Sequence, residues 1–372
     1  MEKKADRAIS FLFAAFLALF FLLNLFASDR DFSPRENRFL QKFPDFSVSR
    51  LFDGQFTSEA EKYCADQFVW RDGWISLKAR CELLLGKKEN NGVFLCEGER
   101  LLQPFSSPEE AALERRISAV NIFTEKSGVP VTLALVPSSG EVYSELLPYG
   151  AKKDSQRDTI NNVYSAVTSR TADLLTPLSE HKGEYIFYRT DHHWTSLGAF
   201  YAYQTLSESL GYTAEEIGHY TRESVSEDFL GTSYSSSGFF WIAPDSMEAF
   251  VEEDPAVEVI KYDGIKTDAS AMYVPEMLTT KDKYRFFLGG NAPRVVIDTG
   301  NEDLPSLLII RDSFADSLVP FLTEHFNRIH LLDFRYYLDS PTEYIKENNI
   351  DRVLILYSVD DFCSENLTLL TR

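Results

Sequence analysis

The sequence predicts an α/β protein of three layers, with helices covering both faces of a parallel sheet, carried behind an N-terminal transmembrane helix. Three observations carry this expectation. Val131-Thr-Leu-Ala-Leu-Val136, Leu304-Pro-Ser-Leu-Leu-Ile-Ile310 and Arg352-Val-Leu-Ile-Leu-Tyr357 are mostly apolar runs, the kind buried on both faces of a parallel sheet. Stretches of helical period separate them. An uncharged run from Ala8 to Ala27, broken only by Ser10 and Asn24, is about 20 residues long, enough to cross the hydrocarbon core of a bilayer.

Lys3, Lys4 and Arg7 precede that run, which predicts a cytoplasmic N-terminus and an exported remainder. Ala27-Ser28 offers the small residues of a signal-peptidase site, the competing reading. Leu25 is large where such a site wants a small residue, and the run is long, so residues 1–28 are expected to be an uncleaved anchor. The chain carries 57 acidic against 37 basic residues, a formal charge of −20, and no Lys/Arg cluster interleaved with aromatics. That balance excludes a nucleic-acid partner. Cys64, Cys81, Cys96 and Cys363 show no spacing or histidine partners that suggest zinc. Outside the cytoplasm Cys64 and Cys81 are compatible with a disulfide, and four buried thiols fit equally well.

Residues 29–105 read as a small α+β accessory region packing on the main domain. Phe32-Ser-Pro-Arg-Glu-Asn-Arg38 is a turn-rich entry, Gly54 to Leu85 is helical in period, and Gly92–Leu95 and Arg100–Leu102 are short β segments. The main domain is expected over 106–372. Ser107 as N-cap with Pro108 at the first helical position opens a helix that Gly128 closes. The strand Val131–Val136, a helix through Ile160, Val163 and Val167, and an aromatic, β-branched strand Tyr185-Ile-Phe-Tyr188 follow. Thr195 then caps a helix ending at Gly211. About 212–285 reads as an acidic insertion, with Glu215, Glu216, Glu252, Glu253 and Asp254. Within it, Gly231-Thr-Ser-Tyr-Ser-Ser-Ser-Gly-Phe-Phe-Trp241 mixes hydroxyls and aromatics that suit a sugar ring, although buried aromatics of a β excursion explain it as well. Strands at Val295–Ile297, Leu304–Ile310, Ile329–Leu332 and Arg352–Tyr357, with helices between the last three, complete the domain.

Ligands in such sheets bind beyond the carboxyl ends of the strands. Asp312-Ser313, Asp333 to Tyr336 and Ser358 to Asp361 fall there. A serine hydroxyl needs an adjacent base. Of the six histidines, only His192 and His193 combine an expected strand-end position with a carboxylate, Asp191. Asp191 alone would serve equally as a helix cap and Trp194 as a core anchor. Paired with Ser313, the run has the composition of a nucleophile, base and orienting carboxylate.

Asp191-His192-His193-Trp194, with Phe287-Leu-Gly-Gly-Asn291 and Arg311-Asp312-Ser313-Phe314, resembles the DHHW family of membrane-anchored bacterial proteins. Through that family the chain from about Phe32 onward resembles the SGNH-hydrolase-like domains of alginate O-acetylation proteins, whose usual block order is permuted. The resemblance implies Ser313 as nucleophile, His193 as base and Asp191 as its orienting group, with His192 in a variable position and no metal or other cofactor. The SGNH oxyanion blocks have no match here. Asn291, Arg335 and Tyr336 are the candidate donors in their place, with His192 and Trp194 as further candidate substrate contacts. The function expected is a serine O-acetyltransferase or acetylesterase acting on an exported or cell-surface polysaccharide. A membrane acyl-donor protein is the implied partner beside the glycan acceptor and the membrane itself. The alternatives are a catalytically silent glycan-binding or assembly protein, and a manganese phosphoesterase built on Asp-His-His, which would need further Asp clusters that the sequence lacks.

Overall fold

In a computed structural model, residues 2–151, 154–252, 257–263 and 267–372 are described. Glu253 and Asp254, two acidic residues of the expected insertion, lie outside them. The chain forms two compact units: residues 1–91 with 234–241, and residues 92–233 with 242–372.

The first unit holds helix α1 (Glu2–Phe26), whose stretch Lys4–Phe26 is long and apolar enough to cross a membrane. Helices α2 (Gln55–Asp66) and α3 (Arg71–Leu84) divide the single helical stretch expected over 54–85. The break falls at Trp70, a left-handed residue with φ 57°. Asp66 is buried and takes both guanidinium nitrogens of Arg38, at 2.8 and 2.5 Å, which holds its carboxyl below the ordinary range, at about 2. In the segment 234–241 the aromatics Phe239 and Phe240 are buried, and Arg80 lies 4.2 Å over the Trp241 ring. These aromatics are thus packed, as the plainer of the two readings of that run expects.

The second unit is built on an eight-stranded sheet among the described residues. In chain order its strands are β1 (Val131–Val136), β2 (Arg170–Ala172), β3 (Glu258–Tyr262), β4 (Thr267–Ser270), β5 (Arg294–Asp298), β6 (Leu307–Arg311), β7 (Arg328–Leu332) and β8 (Arg352–Ser358). Across the sheet they run β4-β3-β5-β7-β6-β8-β1-β2. From β7 to β2 every pairing is parallel, whereas β5 pairs antiparallel with β7, and β3 pairs antiparallel with both β5 and β4. The expectation of a parallel sheet is therefore corrected to a mixed one. The change of direction begins at β5, which follows the acidic insertion in the chain, and the insertion adds β3 and β4 as the edge beyond it. These strands are only partly buried, so they lack the all-apolar signature of β1 and β6.

Helix α4 (Glu110–Ser127) contacts α5 (Gln156–Ala166) and the short helices Pro341–Glu347 and Val359–Ser364. Helix α6 (Ser196–Leu210) contacts a different group, Leu175–Glu180 and Ala315–Leu318. Helix α4 starts at Glu110 rather than after Ser107, with Glu109 in the N-cap position, while the Ser107 N–H donates to Asp154 at 2.7 Å. It ends at Gly128, in the left-handed conformation that closes a helix without steric cost. Cys64, Cys81 and Cys363 are free thiols, with Cys64 and Cys81 exposed, so the Cys64–Cys81 pairing is not formed.

The expected strand Tyr185–Tyr188 does not form. Among the described residues its only ladder contact is an isolated bridge, Phe187 to Trp194. Packing overrides β propensity here: Tyr188 is buried in an aromatic cluster with Phe229, Tyr284, Phe286 and Phe287, and the Ile186 carbonyl accepts the Thr195 N–H at 2.9 Å.

Candidate active site

With no strand leading in, the 188–195 turn is held by side chains. Asp245, buried, accepts from the Thr190 N–H at 2.8 Å, the Thr190 hydroxyl at 2.7 Å, the Arg189 Nε at 3.0 Å and the Tyr185 hydroxyl at 2.6 Å. Thr195 caps α6, its Oγ1 accepting the Gly198 N–H, and donates to the Tyr185 carbonyl at 2.6 Å. The turn is thereby closed at both ends, and residues 191–194 project from a fixed base.

Asp191 is buried and divides its two oxygens. Oδ1 accepts the His193 N–H at 3.0 Å and lies 2.5 Å from His193 Nδ1; Oδ2 accepts the Thr232 N–H at 2.7 Å and its hydroxyl at 3.0 Å. Burial works to raise the Asp191 pKa, but the two imidazoles and the Thr232 N–H outweigh it and hold the carboxyl well below the usual range. An ionised Asp191 requires a proton on His193 Nδ1, which leaves Nε2 as the acceptor. His193 Nε2 lies 2.7 Å from Ser313 Oγ. Hydrogen bonds thus join Asp191 and His193 to a serine 120 positions beyond the histidine.

Ser313 sits where β6 ends. Asp312 shapes the turn, its Oδ1 accepting the Phe314 N–H at 2.9 Å and its Oδ2 the Ser358 N–H at 2.6 Å, so two adjacent parallel strands are tied at their carboxyl ends. Burial first, and then Asp361, raise the Asp312 pKa against those N–H groups. Trp194 is buried, and its Nε1 donates to the Phe314 carbonyl at 3.1 Å and Ser317 Oγ at 2.9 Å. It therefore ties the histidine turn to the serine turn. Tyr284 stacks on His193, with ring centroids 3.8 Å apart and 9° between planes, and its hydroxyl reaches Ser317 Oγ at 3.0 Å.

Residues 149–332 match the DHHW protein family. The Asp-His-His-Trp run at 191–194 falls inside that match, as does Ser313. The chain is 28% identical over 189 residues to a probable alginate O-acetylase, AlgJ, of Pseudomonas syringae pv. tomato, and 26% identical over 182 residues to that of Pseudomonas putida. It spans about half the length of these curated relatives, 48% and 47%. Among solved structures it resembles a DHHW family protein of Eubacterium siraeum, with a TM-score of 0.67 and 27% identity, covering 76% of this chain and 95% of that one. Bacillus cereus PatB1 carrying a sulfonyl adduct shares the fold, with a TM-score of 0.64 and 21% identity over 75% of this chain and 98% of that one.

Around the DHHW motif, His192 Nδ1 lies 2.6 Å from Thr232 Oγ1, and the ring is partly exposed. It lines a cleft of about 180 Å³ with Phe314, Gln103, Ser138, Asp360 and Asp361. Arg335 Nε and Nη2 bond both oxygens of buried Asp333, at 2.8 and 2.7 Å, while Tyr336 and Asn291 are exposed. Asp191, His192 and His193 also offer ligand atoms within 4.8 Å of one another. An ion there would compete with the Asp191, Thr232 and Ser313 contacts that already occupy three of the four imidazole nitrogens.

Sequence reasoning missed Tyr284, Thr232, Ser317 and Asp245. Only Gly231-Thr232 carried a signal. A Cβ on Gly231 would stand 2.2 Å from Asp191, so only glycine lets that segment approach the carboxylate.

Proposed function

We propose that the chain is a membrane-anchored, extracytoplasmic serine O-acetyltransferase acting on a cell-surface or exported glycan. The observation that carries this is the 2.7 Å approach of His193 Nε2 to Ser313 Oγ, with Asp191 behind Nδ1. Kinship with proteins named alginate O-acetylases supports the acetyl group and the polysaccharide acceptor. Under this reading residues 1–28 are the anchor, 29–105 an accessory region, and 106–372 an SGNH-like domain of permuted block order.

Ser313 Oγ attacks the carbonyl carbon of an acyl donor while His193 Nε2 takes its proton. The tetrahedral intermediate collapses as His193 returns that proton to the leaving group, and acetyl-Ser313 remains. A sugar hydroxyl enters next; His193 takes its proton, the oxygen attacks the acetyl carbonyl, and Ser313 leaves as the alcohol, reprotonated by His193. Asp191 keeps Nδ1 protonated and stabilises the imidazolium in both halves. Water in place of the sugar gives the acetylesterase reaction. A donor made in the cytoplasm would require a separate membrane protein to present it.

Incubation of the purified chain with a chromogenic acetyl ester, followed by peptide mass spectrometry, is expected to find one acetyl group on Ser313. Unchanged ester turnover in Ser313→Ala would sink the proposal. The bidentate hold of Asp333 on Arg335 favours a second reading, a silent glycan-binding protein, because it engages one of the candidate oxyanion donors. That reading expects glycan binding with no labelling of Ser313.

A further inference from the structure

The end of α1 is not bare. Phe20 packs parallel to Phe68 with ring centroids 6.0 Å apart, and edge-on to Trp74 at 5.6 Å and Trp70 at 6.0 Å. One turn on, Asn24 Oδ1 accepts the Val69 N–H at 2.9 Å, while its Nδ2 donates to the Phe20 carbonyl at 2.7 Å. These contacts fix the corner between α2 and α3 beside α1 at the level of residues 20–24. An apolar groove of about 770 Å³ runs between them, walled by Phe16, Phe20 and Phe21 on one side and by Cys64, Phe68 and Trp74 on the other.

The inference rests on α1 being the membrane anchor, with its uncharged run ending at Ala27. Residue 20 then lies seven positions inside that end, a depth of roughly 10 Å at about 1.5 Å per residue. The groove is held at the same depth, where its surroundings are lipid rather than water. Beside it Trp70, edge-on to Phe20, leaves its ring 67% exposed at that level, an apolar surface that suits lipid. The Trp74 Nε1 needs no water, since it donates to the Val69 carbonyl at 3.2 Å. We propose that the α2–α3 corner enters the outer leaflet and that the groove holds an acyl chain of a membrane phospholipid. Helix α1 supplies one wall of the groove, so wherever α1 spans the bilayer the groove opens onto acyl chains.

The test uses the full chain in vesicles of phosphatidylcholine and phosphatidylglycerol. A nitroxide is placed on Cys64, which is exposed and lines the groove, in a Cys81→Ser, Cys363→Ser background, with Cys96 buried. The same label at Tyr149→Cys, a fully exposed position of the second unit, serves as the reference. The ratio of collisions with oxygen to collisions with a water-soluble nickel chelate is expected to be severalfold higher at Cys64. A chain that does not float with the vesicles overturns the anchor and this inference together. A chain that floats but gives equal ratios at the two positions overturns this inference alone. A Cys64 label shielded from both reagents and broadened by a neighbouring spin places a second copy in the groove, which also overturns it.

Discussion

Asp191 is asked to do two things at once, and its two oxygens divide them. Oδ1 orients His193 and Oδ2 holds Thr232, so the carboxylate is fixed from both sides of the turn. Asp191→Asn keeps the size but puts an NH2 or a neutral carbonyl opposite Nδ1, and the favoured imidazole tautomer is lost. Ester turnover is expected to fall roughly 10²- to 10⁴-fold with little change in KM; steady-state kinetics on the purified chain checks this. Tyr284 separates packing from hydrogen bonding. Tyr284→Phe keeps the ring stacked on His193 and removes the hydroxyl contact to Ser317, at a cost of about 1 kcal/mol in stability and little activity. Tyr284→Ala removes the ring face as well and is expected to lower kcat. Equal kcat in the two variants would show that the stack does not position His193.

Elements differ in how far the sequence announces them. The strands β1, β6 and β8 are legible because burial on both faces leaves a continuous apolar run, and α6 is legible because Thr195 and Gly211 mark its two ends. The Tyr185–Tyr188 segment has the composition of a strand but spends it on an aromatic cluster, and β2 is too short and too polar to stand out. Of the site, Asp191, His193 and Ser313 were readable because chemistry restricts residue type. The groups that set their geometry were not, because a buried tyrosine or aspartate looks the same wherever it packs. Gly231 tests this positioning layer. Gly231→Ala must push Asp191 or the 229–232 segment aside, since its Cβ would stand 2.2 Å from the carboxylate. The expected cost is about 1–3 kcal/mol of stability, with a loss of kcat that Thr232→Ala alone does not reproduce; thermal melts and kinetics on both variants decide it.

At the scale of the molecule, carboxyls whose pKa burial raises contribute stability that falls as pH rises. Glu252 shows the sign most directly. Burial and the nearby charge of Glu324 raise its pKa from the ordinary 4.5 to about 7, against a weak contact from Thr323. The folded chain therefore binds a proton that the unfolded chain releases between about pH 4.5 and 7. Stability from this group is fully present below about pH 4.5 and is lost as pH rises through 7. Glu252→Gln removes the ionisation in both states. It is expected to raise stability at pH 8 by on the order of 1 kcal/mol, after allowance for the screening of a half-exposed group, and to leave it nearly unchanged at pH 4.5. Melting temperatures of the full chain in detergent at the two pH values provide the measurement. An equal gain at both would mean that Glu252 acts through packing rather than through its charge.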